Sequence, residues 1–366
     1  MNIMKHTPAV FAVEDEYQIM VPVTSPAVMW VQVGTEKYYD QSNGILRSDT
    51  DIHRVAVPMA VLDKAREYTV FWRIVHDRKP YFPDVGDEES ARFSFRPCES
   101  RDPRCYMISD AHGMLEEPVG AAKKFVELYG KLDLLILNGD ILSNSGDAKN
   151  FLLYYRIIEA LTGGEIPVIV SRGNHDLRGK CAERLADYMP GKDGRSYYTV
   201  RLGSLWMLLL DLGEDKGDDH EEYNGIICCH DFRKRETAYL ERLAADPTRY
   251  EAQGIAHRFV ISHVPVTRAD MSPASTEDAF CRRWVELLNE RIRPEFMLSG
   301  HTHWQYIAYP DSKWDGYGMC FPTVVGAYVD RENPYFAGCG LIWENDDVRV
   351  VFNDAKAVLY ETVLSE

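Results

Sequence analysis

Five short apolar segments of this 366-residue chain are each followed, within a few residues, by Asp, Asn or His. Such segments predict buried strands. In open α/β sheets, ligands bind beyond the carboxyl ends of the strands, so polar side chains placed there are expected to converge. The apolar segments are 106–109, 134–137, 166–170, 258–262 and 296–299, and the polar residues that follow them are Asp110, His112, Asp140, Asn174, His175, His263, His301 and His303.

Carboxylates, imidazoles and an amide oxygen form a ligand set typical of first-row divalent metals. The set contains no cysteine, which argues against a structural zinc site. It is too large for one tetrahedral ion but fits two ions that share a carboxylate. For any single member, a capping Asp or a hydrogen-bonded core His is the plainer explanation. That explanation does not account for five strand ends carrying the same residue types, so the sequence predicts a metal site.

The formal net charge of −16 disfavours binding to nucleic acid backbones and to anionic membranes. An anionic substrate would need a local positive charge, which bound metal ions could supply. No apolar run approaches the length of a membrane span, and the run at 9–13 is followed by Glu-Asp-Glu rather than by a secretory cleavage pattern. The eight cysteines include no C-x-x-C pair, and a chain of this size needs no disulfides, although an even count is compatible with them. We expect reduced thiols and a cytoplasmic location.

Residues 1–100 are rich in β-branched and aromatic residues and predict an all-β domain. Turn signals such as Asn43-Gly44 recur between the apolar runs. Short strands at this spacing are typical of an immunoglobulin- or fibronectin-like sandwich. The candidate strands are 17–23, 28–34, 53–59, 68–75 and 91–96.

After a polar hinge at 97–104 the pattern changes to alternating strands and amphipathic helices, which predicts an α/β domain over residues 101–366. The tail, 321–352, is again strand-like and is expected to complete a second sheet. An acidic stretch at 213–222 is compatible either with a solvated loop or with a lid beside the site. Helices are expected at 118–129, 151–161 and 232–245 and around 280–288.

The motifs D-x-H, G-D, G-N-H-D, a lone His and G-H-x-H occur in the order found in the calcineurin-like metallophosphoesterases, which the chain resembles from residue 105 to about 330. The resemblance implies a four-layer α-β-β-α sandwich with a dinuclear metal site at the strand ends. It implies Mn, Fe or Zn as the metals and phosphomonoesters or phosphodiesters as substrates. By matching the motifs, it assigns Asp110, His112 and His303 to the first metal, Asn174, His263 and His301 to the second, Asp140 to the bridge, and His175 to catalysis.

The chemistry implied by this resemblance is hydrolysis of a phosphate ester. Two cations about 4 Å apart can hold a phosphate oxygen and lower the pKa of a bridging water, so that hydroxide attacks phosphorus in line with the leaving oxygen. His175 can then protonate the leaving alkoxide. The competing hypothesis is a binding or scaffold protein that retains an idle metal site and uses its N-terminal sandwich for interactions.

A β-sandwich ahead of such a domain is similar to the layout of purple acid phosphatases, but the site departs from theirs. They carry Gly where this chain has His112, and a metal-binding Tyr where it has Ser143. Phosphoprotein phosphatases carry G-D-x-V-D-R-G, whereas residues 139–145 read G-D-I-L-S-N-S and lack the phosphate-binding Arg. The sequence therefore predicts neither a purple ferric centre nor a protein phosphatase.

Overall fold

The computed structural model describes residues 3–267, 277–344 and 347–364. Among them no helix is long and apolar enough to cross a membrane. The helices are α1 Met59–Ala65, α2 Glu116–Tyr129, α3 Leu152–Thr162, α4 Leu185–Tyr188, α5 Cys229–Ala244 and α6 Asp278–Leu287. The strands are β1 Ala9–Val13, β2 Glu16–Pro22, β3 Ala27–Val33, β4 Glu36–Tyr39, β5 Gln41–Ser42, β6 Ile45–Leu46, β7 Ile52–Pro58, β8 Glu67–Asp77, β9 Asp84–Val85, β10 Glu89–Ser94, β11 Arg104–Ile108, β12 Leu134–Asn138, β13 Val168–Ser171, β14 Tyr198–Leu202, β15 Leu205–Leu210, β16 His257–Ser262, β17 Phe296–Ser299, β18 Tyr306–Ala308, β19 Thr323–Val325, β20 Tyr328–Asp330, β21 Tyr335–Glu344, β22 Asp347–Asp354 and β23 Val358–Leu364.

Two large sheets form the centre of the molecule. The first has the order β23-β22-β21-β11-β12-β13-β1-β2-β7, with β20 paired to β21. The second has the order β14-β15-β16-β17-β19-β18. Strands β11, β12 and β13 run parallel in the first sheet, and β15, β16, β17 and β19 run parallel in the second. Each parallel set brings its carboxyl ends to one edge of its sheet.

The predicted four-layer α-β-β-α sandwich is confirmed. The inner faces of both sheets share one apolar core, to which Met107 and Ile136 contribute from the first sheet and Met207 and Phe259 from the second. The outer face of the first sheet packs on α2 and α3, and that of the second on α5 and α6. The helices are amphipathic, as expected: α2, for example, buries Phe125 in the outer core of the first sheet.

The N-terminal strands form a β-sandwich, but one of its layers is also part of the first large sheet. Strands β10, β8, β3 and β4 form the outer layer. The inner layer is β1, β2 and β7, and β1 pairs in parallel with β13, with Phe11 opposite Val168. All five residues of β1 are buried, so this strand requires cover on both faces. The division into domains at residue 100 stays a prediction; the sheet itself is continuous across it.

Two of the elements that were predicted differ in the structure. The strand expected at 53–59 ends at Pro58, and α1 follows, because Met59 and Leu62 lie one helical turn apart and both are buried. The tail was expected to complete a second sheet, yet only β19 in that segment joins the second sheet. Strands β21, β22 and β23 instead extend the first sheet, where β21 pairs antiparallel with β11.

All eight cysteines are free thiols, and five of them are buried. Burial raises the pKa of the Cys105 thiol well above its ordinary value. The thiols thus behave as small apolar side chains of the core. The cytoplasmic location inferred from them stays a prediction.

Candidate metal centre

The loops that follow β11, β12, β16 and β17 are hydrogen-bonded to one another. The backbone N–H of Asp110 donates to the backbone carbonyl of Gly139 at 3.0 Å. The backbone N–H of His112 donates to the backbone carbonyl of Asp140 at 2.9 Å, and that of Gly300 donates to the backbone carbonyl of His263 at 2.9 Å. Because the strand ends are joined in this way, polar side chains that are far apart in sequence meet in space.

All eight side chains singled out in the sequence are brought together. Potential ligand atoms of Asp110, His112 and His303 lie within 4.8 Å of one another, as do those of Asp140, His263 and His301. His175 forms a third such group with His112 and Asp140. Asn174 completes the set, since its amide lies 3.0 Å from Nδ1 of His301. We call Asp110, His112 and His303 the first half of the cluster, and Asn174, His263 and His301 the second half.

Asp140 occupies the centre of the cluster, where only about 1% of its side chain is exposed. Its Oδ1 accepts a hydrogen bond from the backbone N–H of His175 at 2.8 Å. Its Oδ2 lies 3.3 Å from Nε2 of His263 and 4.0 Å from Nε2 of both His112 and His175. One oxygen is thus fixed by the backbone, and the other is directed at both halves.

Five of these residues have left-handed backbone conformations, which non-glycine residues adopt rarely. Such conformations have an energetic cost and cluster at functional sites. Here the left-handed conformations bend the loops sharply. Both histidines of G-H-x-H, for example, therefore reach the cluster. The φ angles are 57° at Asp110, 46° at His112, 52° at Asp140, 69° at His301 and 58° at His303.

The motif glycines are explained by close packing beneath the carboxylates of the cluster. A Cβ atom on Gly173 would lie 2.2 Å from Oδ1 of Asp140, and one on Gly300 would lie 2.4 Å from Oδ2 of Asp110. Real Cβ atoms do not approach other atoms so closely. Each glycine therefore lets one loop pass directly under a carboxylate presented by another loop.

The hydrogen bond of His263 to the backbone leaves its second ring nitrogen facing the cluster. Nδ1 of His263 lies 2.8 Å from the carbonyl oxygen of Asn138, to which it can donate, and its buried Nε2 has no hydrogen-bond partner among the residues described. Metal-binding histidines commonly donate their second ring N–H to a carbonyl in this way. An unpartnered buried nitrogen beside two carboxylates fits a cation between them.

The electrostatics of the cluster favour a neutral imidazole at His112 in the first half and at His301 in the second, but a charged one at His263. Burial lowers the pKa of His112 to about 3, and burial together with the neighbouring His263 lowers the pKa of His301 to about 4. Burial also acts to lower the pKa of His263, but Asp140 and Asp110 outweigh it and raise that pKa to about 10. Burial disfavours the charged forms of these two carboxyls, yet His263 and its neighbours hold both of their pKa values below the ordinary range.

The Asn174 amide lies between the cluster and Arg178. One end of the amide lies 3.0 Å from Nδ1 of His301 and 3.3 Å from Oδ2 of Asp140, and the other lies 3.1 Å from the Arg178 guanidinium. Hydrogen bonding alone would place the amide nitrogen toward the cluster and the oxygen toward Arg178. A cation between these acceptors would instead attract the amide oxygen.

Two residues at the cluster were not identified from the sequence. The guanidinium of Arg331 contacts Nε2 of His112, and no motif surrounds this arginine. Oδ2 of Asp215 lies 3.6 Å from Nε2 of His301. Asp215 belongs to the acidic stretch that was compatible with either a solvated loop or a lid, and its high charge was the only available signal.

The acidic stretch is anchored at its start and exposed further along. Buried Glu214 accepts two hydrogen bonds from Arg178, both at 2.7 Å. The buried side chain of Arg233 donates to the carbonyl of Leu212 at 3.0 Å, which holds the backbone just before this stretch. Asp219 is exposed. The anchored start of the stretch is the part that brings Asp215 to His301.

Comparison with known proteins places these features in a family. The model of the calcineurin-like phosphoesterase family matches residues 103–305. A curated relative, the 3′,5′-cyclic adenosine monophosphate phosphodiesterase CpdA of Haemophilus influenzae, is 23% identical over 215 residues, which cover 59% of this chain and 69% of the relative.

A solved structure, the purple acid phosphatase PPD1 from yellow lupin (Lupinus luteus) seeds, has a similar fold, with a TM-score of 0.58 and 11% identity, covering 98% of this chain and 74% of that one. This likeness extends over the N-terminal strands as well as the two large sheets. Because the family model covers more than half of the chain, the protein belongs to the calcineurin-like phosphoesterase family and is a hydrolase of phosphate esters.

Proposed function

We propose that the protein is a dinuclear metal-dependent phosphoesterase that hydrolyses phosphomonoesters or phosphodiesters. The observation that carries this proposal is the position of Asp140 Oδ2, which lies within 4.0 Å of histidine nitrogens from both halves of the cluster. A single oxygen in that place can be shared by two cations. The remaining ligands separate into two sets around it.

Asp110, His112 and His303 would hold the first ion, and Asn174, His263 and His301 the second. The mixture of imidazole nitrogens and carboxylate or amide oxygens suits Mn, Fe or Zn. Two such cations, when bound, would polarise the phosphoryl oxygens and lower the pKa of an attacking water.

His175 is proposed to be the general acid. Its ring Nδ1 lies 3.0 Å from the carbonyl oxygen of Ser143, which favours a proton on that nitrogen and directs Nε2 toward the cluster. About 24% of its side chain is exposed, against 1% for His112, so it is accessible to a substrate. From this place it can donate a proton to the leaving oxygen, a role that typically contributes about 10²–10⁴-fold to the rate.

The name of the curated relative, a 3′,5′-cyclic adenosine monophosphate phosphodiesterase, places cyclic nucleotides among the substrates to be tested. The experiment is a turnover assay with added Mn²⁺ on 4-nitrophenyl phosphate, bis(4-nitrophenyl) phosphate and 3′,5′-cyclic adenosine monophosphate. We expect metal-dependent hydrolysis of at least one of them, abolished by a chelator and restored by Mn²⁺. Absence of turnover from protein with two bound ions would favour the scaffold hypothesis.

A further inference from the structure

Arg331 lies in the turn between β20 and β21, beside the first half of the cluster. Its guanidinium contacts Nε2 of His112, a residue 219 positions earlier in the chain. The side chain of Asp330 accepts hydrogen bonds from the backbone N–H groups of Glu332 at 2.9 Å and Asn333 at 3.1 Å. These bonds fix the turn that carries Arg331. The backbone at Arg331 is thus held in place by the turn beside the first half.

Arg331 differs from the other cationic side chains near the cluster, because those are neutralised by carboxylates. Arg178 forms a bidentate ion pair with Glu214, and Arg172 forms an ion pair with Asp211. Within the described parts of the chain, Arg331 forms no ion pair with a carboxylate, and it is exposed. Its charge is therefore available to an anion from solution.

The contact between Arg331 and His112 cannot persist unchanged when His112 binds a cation. Nε2 of His112 lies 3.9 Å from Oδ1 of Asp110, inside the first half, so its lone pair would be directed to the metal. It could then no longer accept a hydrogen bond, and the guanidinium would be repelled by the ion. An anion bound beside the first half would relieve this repulsion, and the planar guanidinium matches two phosphate oxygens at once.

We propose that Arg331 binds the non-bridging oxygens of the substrate's phosphoryl group on the side of the first half. The inference rests on the proposed function and adds to it the protein cation that attracts an anionic substrate to a chain of net charge −16. A monoester dianion carries more charge on these oxygens than a diester monoanion. Arg331 therefore favours monoesters over diesters.

The test measures binding of inorganic phosphate to the Mn²⁺-loaded protein by calorimetry, so it does not require turnover. Arg331→Ala is expected to weaken phosphate binding by about 10–100-fold, as loss of a charge-assisted hydrogen-bond pair should. Arg331→Lys keeps the charge but lacks the two parallel N–H donors of the guanidinium, so its phosphate affinity should be intermediate. The control is Arg349→Ala, which removes an equal charge from an arginine paired with Glu344 and Glu361 and should change phosphate binding less than about twofold.

A second measurement compares kcat/KM on 4-nitrophenyl phosphate and bis(4-nitrophenyl) phosphate. Arg331→Ala should reduce the monoester value several-fold more than the diester value. Unchanged phosphate affinity in Arg331→Ala would overturn the proposal, and so would loss of bound metal in that variant, which would make Arg331 a support of the metal site. Phosphate binding that depends on Arg331 in a wild-type protein that hydrolyses no ester would uphold the anion site and contradict the proposed function instead.

Discussion

The two halves of the cluster use similar ligands in different surroundings. In the first half, about 32% of the His303 side chain is exposed and Arg331 reaches His112. In the second half, His263 and His301 are only 2% and 8% exposed. The charged neighbours there are the carboxylate of Asp215, 3.6 Å from Nε2 of His301, and Arg178, whose charge is neutralised by Glu214. One half thus has a cationic, open edge and the other an anionic, enclosed edge.

This difference assigns different tasks to the two halves. A carboxylate behind a metal-binding histidine fixes the tautomer and raises the basicity of the ligand. We therefore expect the second half to hold its ion more tightly. The first half, with Arg331 at its edge, is where an anionic substrate would approach. Substitutions at the shared Asp140 and then within each half separate these tasks.

The largest effect is expected from the residue that both halves share. Asp140→Asn removes the charge that the two ions would bridge, so both ions should be lost and activity should fall by more than about 10³-fold. Elemental analysis and turnover of the same preparation measure this. Retention of two ions with near-normal activity would show that Asp140 does not bridge.

His175→Ala is expected to retain both ions and to lose rate according to the leaving group. Alkyl phosphate esters, whose alkoxides need a proton, should slow by about 10²–10⁴-fold, and nitrophenyl esters much less. The alkaline side of the pH–rate profile should also flatten. If His175 only orients the phosphate, both ester classes will slow equally, and that outcome would rule out the acid role once chemistry is shown to limit the rate.

Asp215→Asn should affect only the second half. Loss of the carboxylate beside His301 is expected to weaken the tighter Mn²⁺ site by about 10–100-fold, with the weaker site unchanged. Calorimetric titration of the metal-free protein separates the two affinities. Asp219→Asn, in the same loop but exposed, is the matched control and should change neither. A loss confined to the weaker site would reverse the assignment of the halves.

The pH dependence of metal binding should also differ between the halves. His263, with its pKa raised to about 10, is protonated in the metal-free protein at neutral pH and must lose that proton to bind an ion. His112, with its pKa lowered to about 3, is already neutral. Between pH 6 and 7.5 the affinity of the second half should therefore rise about tenfold per pH unit, and that of the first half less. Equal slopes at the two sites would contradict this.

The clustering of the eight residues could be predicted because its signals are local. Each of the eight residues follows an apolar strand in the sequence, and parallel strands place their ends at a common edge. Packing also explains the glycines of G-N-H-D and G-H-x-H, because Gly173 and Gly300 lie directly beneath carboxylates from other loops.

What could not be predicted depends on contacts between distant segments. Arg331 is 219 residues from His112 and stands in an ordinary turn, so no local pattern indicates its position. The neighbour of β1 could not be predicted either. Its five apolar residues indicate that the strand is buried, but they do not indicate which strand lies beside it. The sequence predicted five of the ten N-terminal strands (β2, β3, β7, β8 and β10), whereas the pairing of β1 with β13 depends on the arrangement of the complete sheet.

The most direct test of the proposed dinuclear site is a titration of the metal-free protein with Mn²⁺ in which bound metal and turnover are measured on the same samples. The structure predicts two ions per chain, the second half filling first, and little activity until the second equivalent is bound. Full activity with one ion per chain would contradict the account, because Asp140 would then have no second ion to bridge.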